Sequence, residues 1–161
     1  MELHCLTNDA ALVRAVQKLN MGVLPVQPPR FCYRRAEKDK HRLSWAAVVD
    51  GEIVSGAAVA DLELERSGLR TVQLRTLAVS APFRRQGIGR KLVMKIIEQA
   101  KELGKGEDGD KIQGVRLHVH AGNDEALAFY KALGFVEKAR VENYYRHLEP
   151  STAFVMEYPL H

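Results

Sequence analysis

The sequence has 161 residues, is 46% hydrophobic and 27% charged, and carries a formal net charge of +4, which fits one compact domain over residues 1–161. No apolar run approaches the roughly 20 residues of a bilayer span, and Met1-Glu2-Leu3-His4 lacks the basic-then-apolar start of a secretory signal, so a cytoplasmic protein is expected. Cys5 and Cys32 are too few for a disulfide framework and no Cys/His group has zinc-site spacing, so free thiols and no metal are expected.

In chain order, Thr7-Asn8-Asp9 offers a helix cap, and Leu12, Ala15, Val16 and Leu19 follow at spacings of an amphipathic helix that runs to about Met21. Gly22-Val23-Leu24-Pro25-Val26-Gln27-Pro28-Pro29 cannot continue a helix and reads as an ordered apolar loop. Residues 30–42 then set Arg30, Arg34, Arg35, Lys38, Lys40 and Arg42 against Glu37 and Asp39, a window of net +4. It reads as a solvated surface, with an acidic macromolecular partner as the alternative. Strands are expected at Ser44–Val49, Glu52–Leu64 and Leu69–Val79, joined by turns at Asp50-Gly51 and Ser67-Gly68, which makes three consecutive antiparallel strands.

Residues 82–91, "PFRRQGIGRK", hold Arg84, Arg85, Arg90 and Lys91 with no acid. Leu92, Val93, Ile96, Ile97, Ala100 and Leu103 continue as a helical stripe closed at Gly104. Residues 104–111 read as a polar surface loop. Val115, Leu117 and Val119 alternate with Arg116, His118 and His120 in a strand. Asn123 caps a helix closed by Gly134, and Phe135–Val141 and Thr152–Tyr158 supply two last strands. The expected fold is α/β (α+β), a mixed and mostly antiparallel sheet of about six or seven strands flanked by helices.

A strand that ends at Val79, a glycine-bearing turn and a helix start aim unpaired N–H groups and a positive dipole end at one small volume. That volume favours a phosphate or pyrophosphate, with Arg84, Arg85, Arg90 and Lys91 around it. The spacing fits neither a P-loop nor the G-x-G-x-x-G dinucleotide fingerprint, and an ordinary basic helix entry remains the alternative.

Arg84-Arg85-Gln86-Gly87-Ile88-Gly89 matches a Q/R-x-x-G-x-G/A signature, and "NDEALAFYKALGF" at 123–135 matches N-x-x-A-x-x-F-Y-x-x-x-G-F. With these two blocks, in this order, the chain resembles the GCN5-related N-acetyltransferases. The resemblance implies that the anion is the pyrophosphate of acetyl-coenzyme A, held by Arg84, Arg85, Gln86, Gly87, Ile88, Gly89 and Arg90. It also implies that the backbone of Leu77, Ala78 and Val79 pairs with the pantetheine arm, and that Asn123 and Tyr130 belong to the same cofactor site.

Within that family, "VRLHVHAGNDEALAFYKALGF", "ENYYRHLEPSTAFVM" and "VLPV" resemble the NatE branch, which acetylates protein N termini. Leu24, Pro25 and Val26 with Tyr144 and Tyr145 would then hold the first residue of a peptide, chiefly an initiator methionine, and Leu24 stands where that branch has an aromatic residue. Partners implied are protein N termini, a NatA complex and the ribosome, with no membrane and no specific nucleic acid.

The implied chemistry is attack of an amine on a thioester. An α-amine with a reference pKa near 8 is partly neutral at pH 7, so a base need only complete its deprotonation, through water if required. The resemblance assigns this to His118, and a partly buried structural imidazole is the alternative. Tyr130 is placed to protonate the leaving thiolate, although Ala126, Phe129, Tyr130 and Leu133 also form a packing stripe. Gln73 stands where the NatE branch has a tyrosine that assists catalysis, so Tyr33 is a further candidate beside the peptide site. A lysine or small-amine acetyltransferase and a weakly active CoA-binding subunit are the alternative readings.

Overall fold

The computed structural model describes residues 1–105 and 111–160; most of the loop expected at 104–111 lies outside the described residues. The elements are β1 (Glu2–Cys5), α1 (Ala10–Val23), α2 (Phe31–Lys38), β2 (Trp45–Val49), β3 (Ile53–Leu64), β4 (Arg70–Val79), α3 (Ile88–Leu103), β5 (Ile112–His120), α4 (Asp124–Leu133), β6 (Val136–Val141) and β7 (Ala153–Pro159). A short 3-10 turn at Ala81–Phe83 leads from β4 towards α3.

Seven strands form one mixed sheet in the order β1-β2-β3-β4-β5-β7-β6. The β4–β5 pairing is parallel and the other neighbours are antiparallel. Hairpin turns suffice for β2–β3–β4, whereas the parallel step needs a crossover, which α3 supplies. At the β2–β3 turn Asp50 and Gly51 both adopt positive φ, 54° and 75°, as a turn matched to the strand twist requires.

Strand alternation divides the apolar side chains between two faces. Trp45, Ala47, Ala58 and Ala60 join Leu92, Val93, Ile96 and Ile97 of α3 in one buried cluster. Ala46, Ala57 and Val59 point the other way and pack with Val13 and Val16 of α1 and with Cys32, Tyr33 and Ala36 of α2. The sheet is therefore covered on both sides, and burying a side chain of this size contributes about 1.5–3 kcal/mol.

Two elements were not expected from the sequence. Four-residue β1 is too short to show alternation, and it forms because Glu2–Cys5 pairs with Trp45–Val48 at the sheet edge. In the basic window, α2 is polar along most of its length but buries Cys32, Tyr33 and Ala36 at helical spacing. That narrow apolar stripe, docked on β3, makes it a helix instead of an irregular surface.

The helices start and stop largely as their residues dictate. The Asp9 carboxylate accepts from the Leu12 N–H at 3.1 Å and the Asn123 side chain from Ala126 N–H at 3.1 Å, each quenching a free donor of a first turn. Gly134 ends α4 in the left-handed region at φ 106°, whereas Gly104 ends α3 with ordinary helical angles.

Two irregularities shape the centre of the sheet. Opposite β3, the register of β4 jumps from Leu74 to Thr76 across Val59/Ala60, which leaves Arg75 as the extra residue of a bulge. On the other side, β4 pairs with β5 only as far as Gln73↔Arg116. Beyond that point β4 continues on β3 to Val79, and β5 continues on β7 to His120. The two strands thus part into a wedge that leaves backbone N–H and C=O groups without a ladder partner on its inner edges.

Candidate active site

The wedge opens into a cleft of about 650 Å³. Gln73, Arg75, Thr76 and Leu77 of β4 form one wall, Leu117, His118, Val119 and His120 of β5 the other. The 24–29 loop, the start of α4, and Tyr144, Tyr145 and Leu148 complete the lining. The site therefore gathers Leu24, Pro25, Val26, Leu77, His118, Asn123, Tyr130, Tyr144 and Tyr145 from segments far apart in the chain.

None of residues 84–90 lines this cleft; the glycine turn neighbours it through Leu77, whose Cδ2 would lie 3.8 Å from a Cβ on Gly89. Gly87 takes φ 77° at the N-cap of α3, and no side chain caps the helix or adds an acid to its first turn. A Cβ at Gly87 would meet nothing within 4 Å, so its glycine serves the backbone angle. Arg85 also adopts a positive φ of 64°. Arg84 donates from Nε to the Val79 carbonyl at 3.2 Å, and Arg85, Gln86 and Arg90 are exposed. Ile88 is buried in the core, so only its backbone faces the turn. Below it, a Cβ on Gly56 would approach Ile88 Cγ2 and the Ala78 carbonyl to 3.0 Å each, so glycine there lets the α3 N-terminus sit close against the sheet. The α3 N-terminus is thus uncapped, with exposed Arg85 and Arg90 close by in the chain, a combination that favours an anion.

The two strand histidines differ in their partners. His118 stacks parallel on Tyr144, with ring centroids 4.4 Å apart and 3° between planes. Burial, and then the Arg75 cation, push its pKa below the ordinary histidine value, with Glu63 opposing, so the imidazole is neutral and able to accept a proton at pH 7. Among the described residues it has no hydrogen-bond partner. His120 instead places Nε2 2.5 Å from the Pro150 carbonyl and meets Tyr145 edge-on at 5.3 Å. That contact engages the ring in closing the 142–152 loop, where Tyr145 N–H also donates to the Ser151 carbonyl at 2.9 Å.

Tyr130 is buried between Phe129 and Phe135, both met edge-on at 5.0 and 5.4 Å. Burial first, and then Tyr145, raise its pKa well above the ordinary tyrosine range, so its hydroxyl stays a neutral donor. Tyr145 is pushed up to about 12 by burial and then by Tyr144. The packing and donor readings of Tyr130 are compatible, since the ring is held on both flanks while the residue lines the cleft.

Other expected residues fall differently. Asn123 lines the cleft, but its side-chain oxygen is committed to capping α4. Leu77 lines the wall while the Ala78 side chain is buried, so Ala78 offers its backbone alone. Tyr33 does not line the cleft: it is 5% exposed, with its hydroxyl accepting from Asn20 Nδ2 at 3.0 Å under the floor. The β3 face of α2 buries it, which corrects the expectation that it reaches the peptide or replaces a tyrosine at position 73. Gln73 itself is nearly buried, lines the cleft and donates to Thr71 Oγ1 at 2.9 Å.

Two site residues, and one buried residue that supports them, were not anticipated. Arg75 lines the cleft and is held by Asp61 through two bonds of 2.9 Å and by Glu63 at 3.3 Å. Its signal, a bulge, exists only once strands are paired. Gln27 donates to the Asn20 and Leu24 carbonyls at 2.9 Å each, fixing the proline loop to the end of α1. Asn20 is fully buried and also donates to Thr76 Oγ1 at 3.4 Å, a polar residue at the centre of a helix face that the apolar pattern alone did not mark.

Comparison with known proteins agrees with this geometry. Residues 13–135 match the family model of the acetyltransferase (GNAT) family. The chain is 32% identical over 157 residues to an N-alpha-acetyltransferase of Sulfurisphaera tokodaii, covering 92% of this chain and 87% of that one. It is 26% identical over 145 residues to N-alpha-acetyltransferase 50 of Danio rerio, covering 90% and 81%. Among solved structures, Arabidopsis thaliana Naa50 in complex with the bisubstrate analogue CoA-Ac-MVNAL superposes with a TM-score of 0.80 at 28% identity, over 97% of this chain and 96% of that one.

Proposed function

Since the chain belongs to the acetyltransferase (GNAT) family, we propose that it transfers an acetyl group from acetyl-CoA to the N-terminal amine of proteins, chiefly chains that begin with methionine. Its relatives are N-alpha-acetyltransferases, and the Arabidopsis neighbour was solved with a methionine-starting analogue. The wedge and the uncapped α3 N-terminus fit acetyl-CoA. Leu77–Val79 would offer its pantetheine arm strand-like hydrogen bonds, and the 84–90 turn would hold its pyrophosphate. Acetyl-CoA supplies the activated thioester; the protein's own groups align the amine and move protons.

The peptide's first residue enters between Leu24-Pro25-Val26 and Tyr144-Tyr145, which line the same cleft as His118. His118, neutral and without a hydrogen-bond partner among the described residues, takes the amine proton through a water while the nitrogen bonds to the acetyl carbon. As the carbon–sulfur bond breaks, the Tyr130 hydroxyl donates to the departing thiolate. Gln73 contributes no titratable group, so the proton falls to His118 alone. Leu24 widens the apolar entrance and favours tolerance at the second peptide position.

The observation that carries this proposal is the open imidazole of His118 on the wall of the strand wedge, in a cleft that Tyr130 also lines. A NatE-type role beside a NatA complex at the cytoplasmic ribosome belongs to the same proposal, and rests on the resemblance of the last third of the chain. The test is incubation with acetyl-CoA and peptides that begin Met-Leu, Met-Lys, Ser and Ala, with mass spectrometry to place the acetyl group. Acetylation of the Met-starting α-amines is expected, and CoA binding without turnover on any peptide would refute enzymatic transfer.

A further inference from the structure

A second cleft of about 600 Å³ lies on the α2 face, lined by Phe31, Arg34, Arg35, Lys38 and His41 together with Asp39, Asp61 and Leu62. It adjoins the first. Phe31, 42% exposed, lines both clefts, and the wall between them carries the pair of Arg75, which lines the first, and Asp61, which lines the second. Phe31 is thus the point at which the two clefts meet.

The charge of this second cleft is more positive than a balance of its cations and acids suggests. The Asp39 carboxylate already accepts from the His41 N–H at 2.9 Å and the Leu43 N–H at 3.2 Å. Both oxygens of Asp61 are taken by Arg75. On the other side, Arg34 and Lys38 form no ion pair among the described residues, and Arg35 lies 4.6 Å over the ring of Phe31, which leaves its charge open to a ligand. The acids are satisfied internally while the cations are not.

We propose that this basic cleft is the continuation of the substrate groove and binds acidic side chains of the substrate protein several residues behind its N terminus. The inference rests on the N-terminal acetyltransferase reading and adds a second specificity element to it. An extended chain advances about 3.3–3.6 Å per residue with alternate side chains on one face, so acids at alternate downstream positions meet Arg34 and Lys38 together. A peptide fits this surface better than nucleic acid does, because the cations sit in one pocket that opens from the peptide site, with one exposed aromatic and no further stacking platform.

The test compares two fluorescent peptides that share a Met-starting head, one with Asp and Glu and one with Ser from about the fourth residue onward. Anisotropy titration gives Kd without requiring turnover. The acidic tail is expected to bind about tenfold tighter at low salt, with the advantage shrinking towards physiological salt, and the double variant Arg34→Glu/Lys38→Glu should erase it. Serine-tail binding and turnover should be unchanged in that variant, which also shows that it folds. Equal Kd for the two tails, or an advantage that survives the charge reversal, overturns the proposal. So does an RNA oligonucleotide that binds this face in an Arg34- and Lys38-dependent way while the acidic tail shows no preference. Tail preference without turnover of either peptide would sink acetyl transfer and leave the groove standing.

Discussion

Substitutions at Tyr130 separate a packing role from a chemical one. Its ring is 8% exposed and lies between Phe129 and Phe135, whereas its hydroxyl has no hydrogen-bond partner among the described residues. Tyr130→Phe keeps the ring and forfeits no internal hydrogen bond, a loss that would otherwise cost about 1 kcal/mol. At about 2–4 °C per kcal/mol for a chain of this size, its melting temperature should stay within about 2 °C of the parent. Removing a donor aimed at developing negative charge costs on the order of 10²–10³ in kcat, and the Phe variant should lose that much with its KM values little altered. Tyr130→Ala instead opens a cavity worth about 3–5 kcal/mol, and should lower the melting temperature by about 6–20 °C. Differential scanning fluorimetry and initial rates at saturating acetyl-CoA on a Met-Leu peptide measure both quantities. A Phe variant with parental kcat would refute the donor role, and one that melts many degrees lower would show that the hydroxyl is bonded inside the protein.

Two further predictions follow from the cleft and the sheet. In the proposed mechanism the neutral form of His118 is the base, and its pKa is held below the ordinary histidine value, so kcat/KM should be lost only as pH falls through that lowered pKa. Arg75→Gln removes a cation that opposes protonation and frees Asp61 and Glu63, so the acid limb should move to higher pH; a limb that stays in place or moves down contradicts His118 as the titrating group. At Gly114 a Cβ would lie 2.6 Å from the Tyr158 carbonyl and 2.9 Å from Glu157 Cγ, where Glu157 is buried in its pair with Arg116 at 2.9 Å. Gly114→Ala should therefore destabilise by about 1–3 kcal/mol, read as a melting temperature lower by roughly 2–12 °C, and an unchanged melting curve would show that β5 and β7 can separate freely.

Much of this protein was legible locally. The caps at Asp9 and Asn123, the Asp50-Gly51 turn, the α3 stripe and the alternation of β5 are short-range patterns, and the structure realises each of them. The glycine turn ahead of α3 could be read for the same reason, because glycine angles and a helix start are properties of neighbouring residues. β1 and α2 could not, since each owes its form to a partner distant in sequence. Alone, Glu2–Cys5 has too few residues to show a period, and α2 has too narrow an apolar stripe to stand out from its charges.

The site divides along the same line. Residue order alone placed His118 and His120 on one strand face, equal in chemistry; only the tertiary structure tied His120 to Pro150 and left His118 open to the cleft. Tyr33 looked like any other tyrosine until α2 folded onto β3 and sealed its hydroxyl against Asn20. Arg75 became a site residue when a bulge directed it to Asp61, and the cleft exists because β4 and β5 part after Gln73↔Arg116. A linear sequence specifies side-chain chemistry and local backbone preference, and so determined every element except β1 and α2, together with the chemical candidates. Which candidates share a cavity depends on strand register and burial, quantities that arise only between segments brought together by the fold.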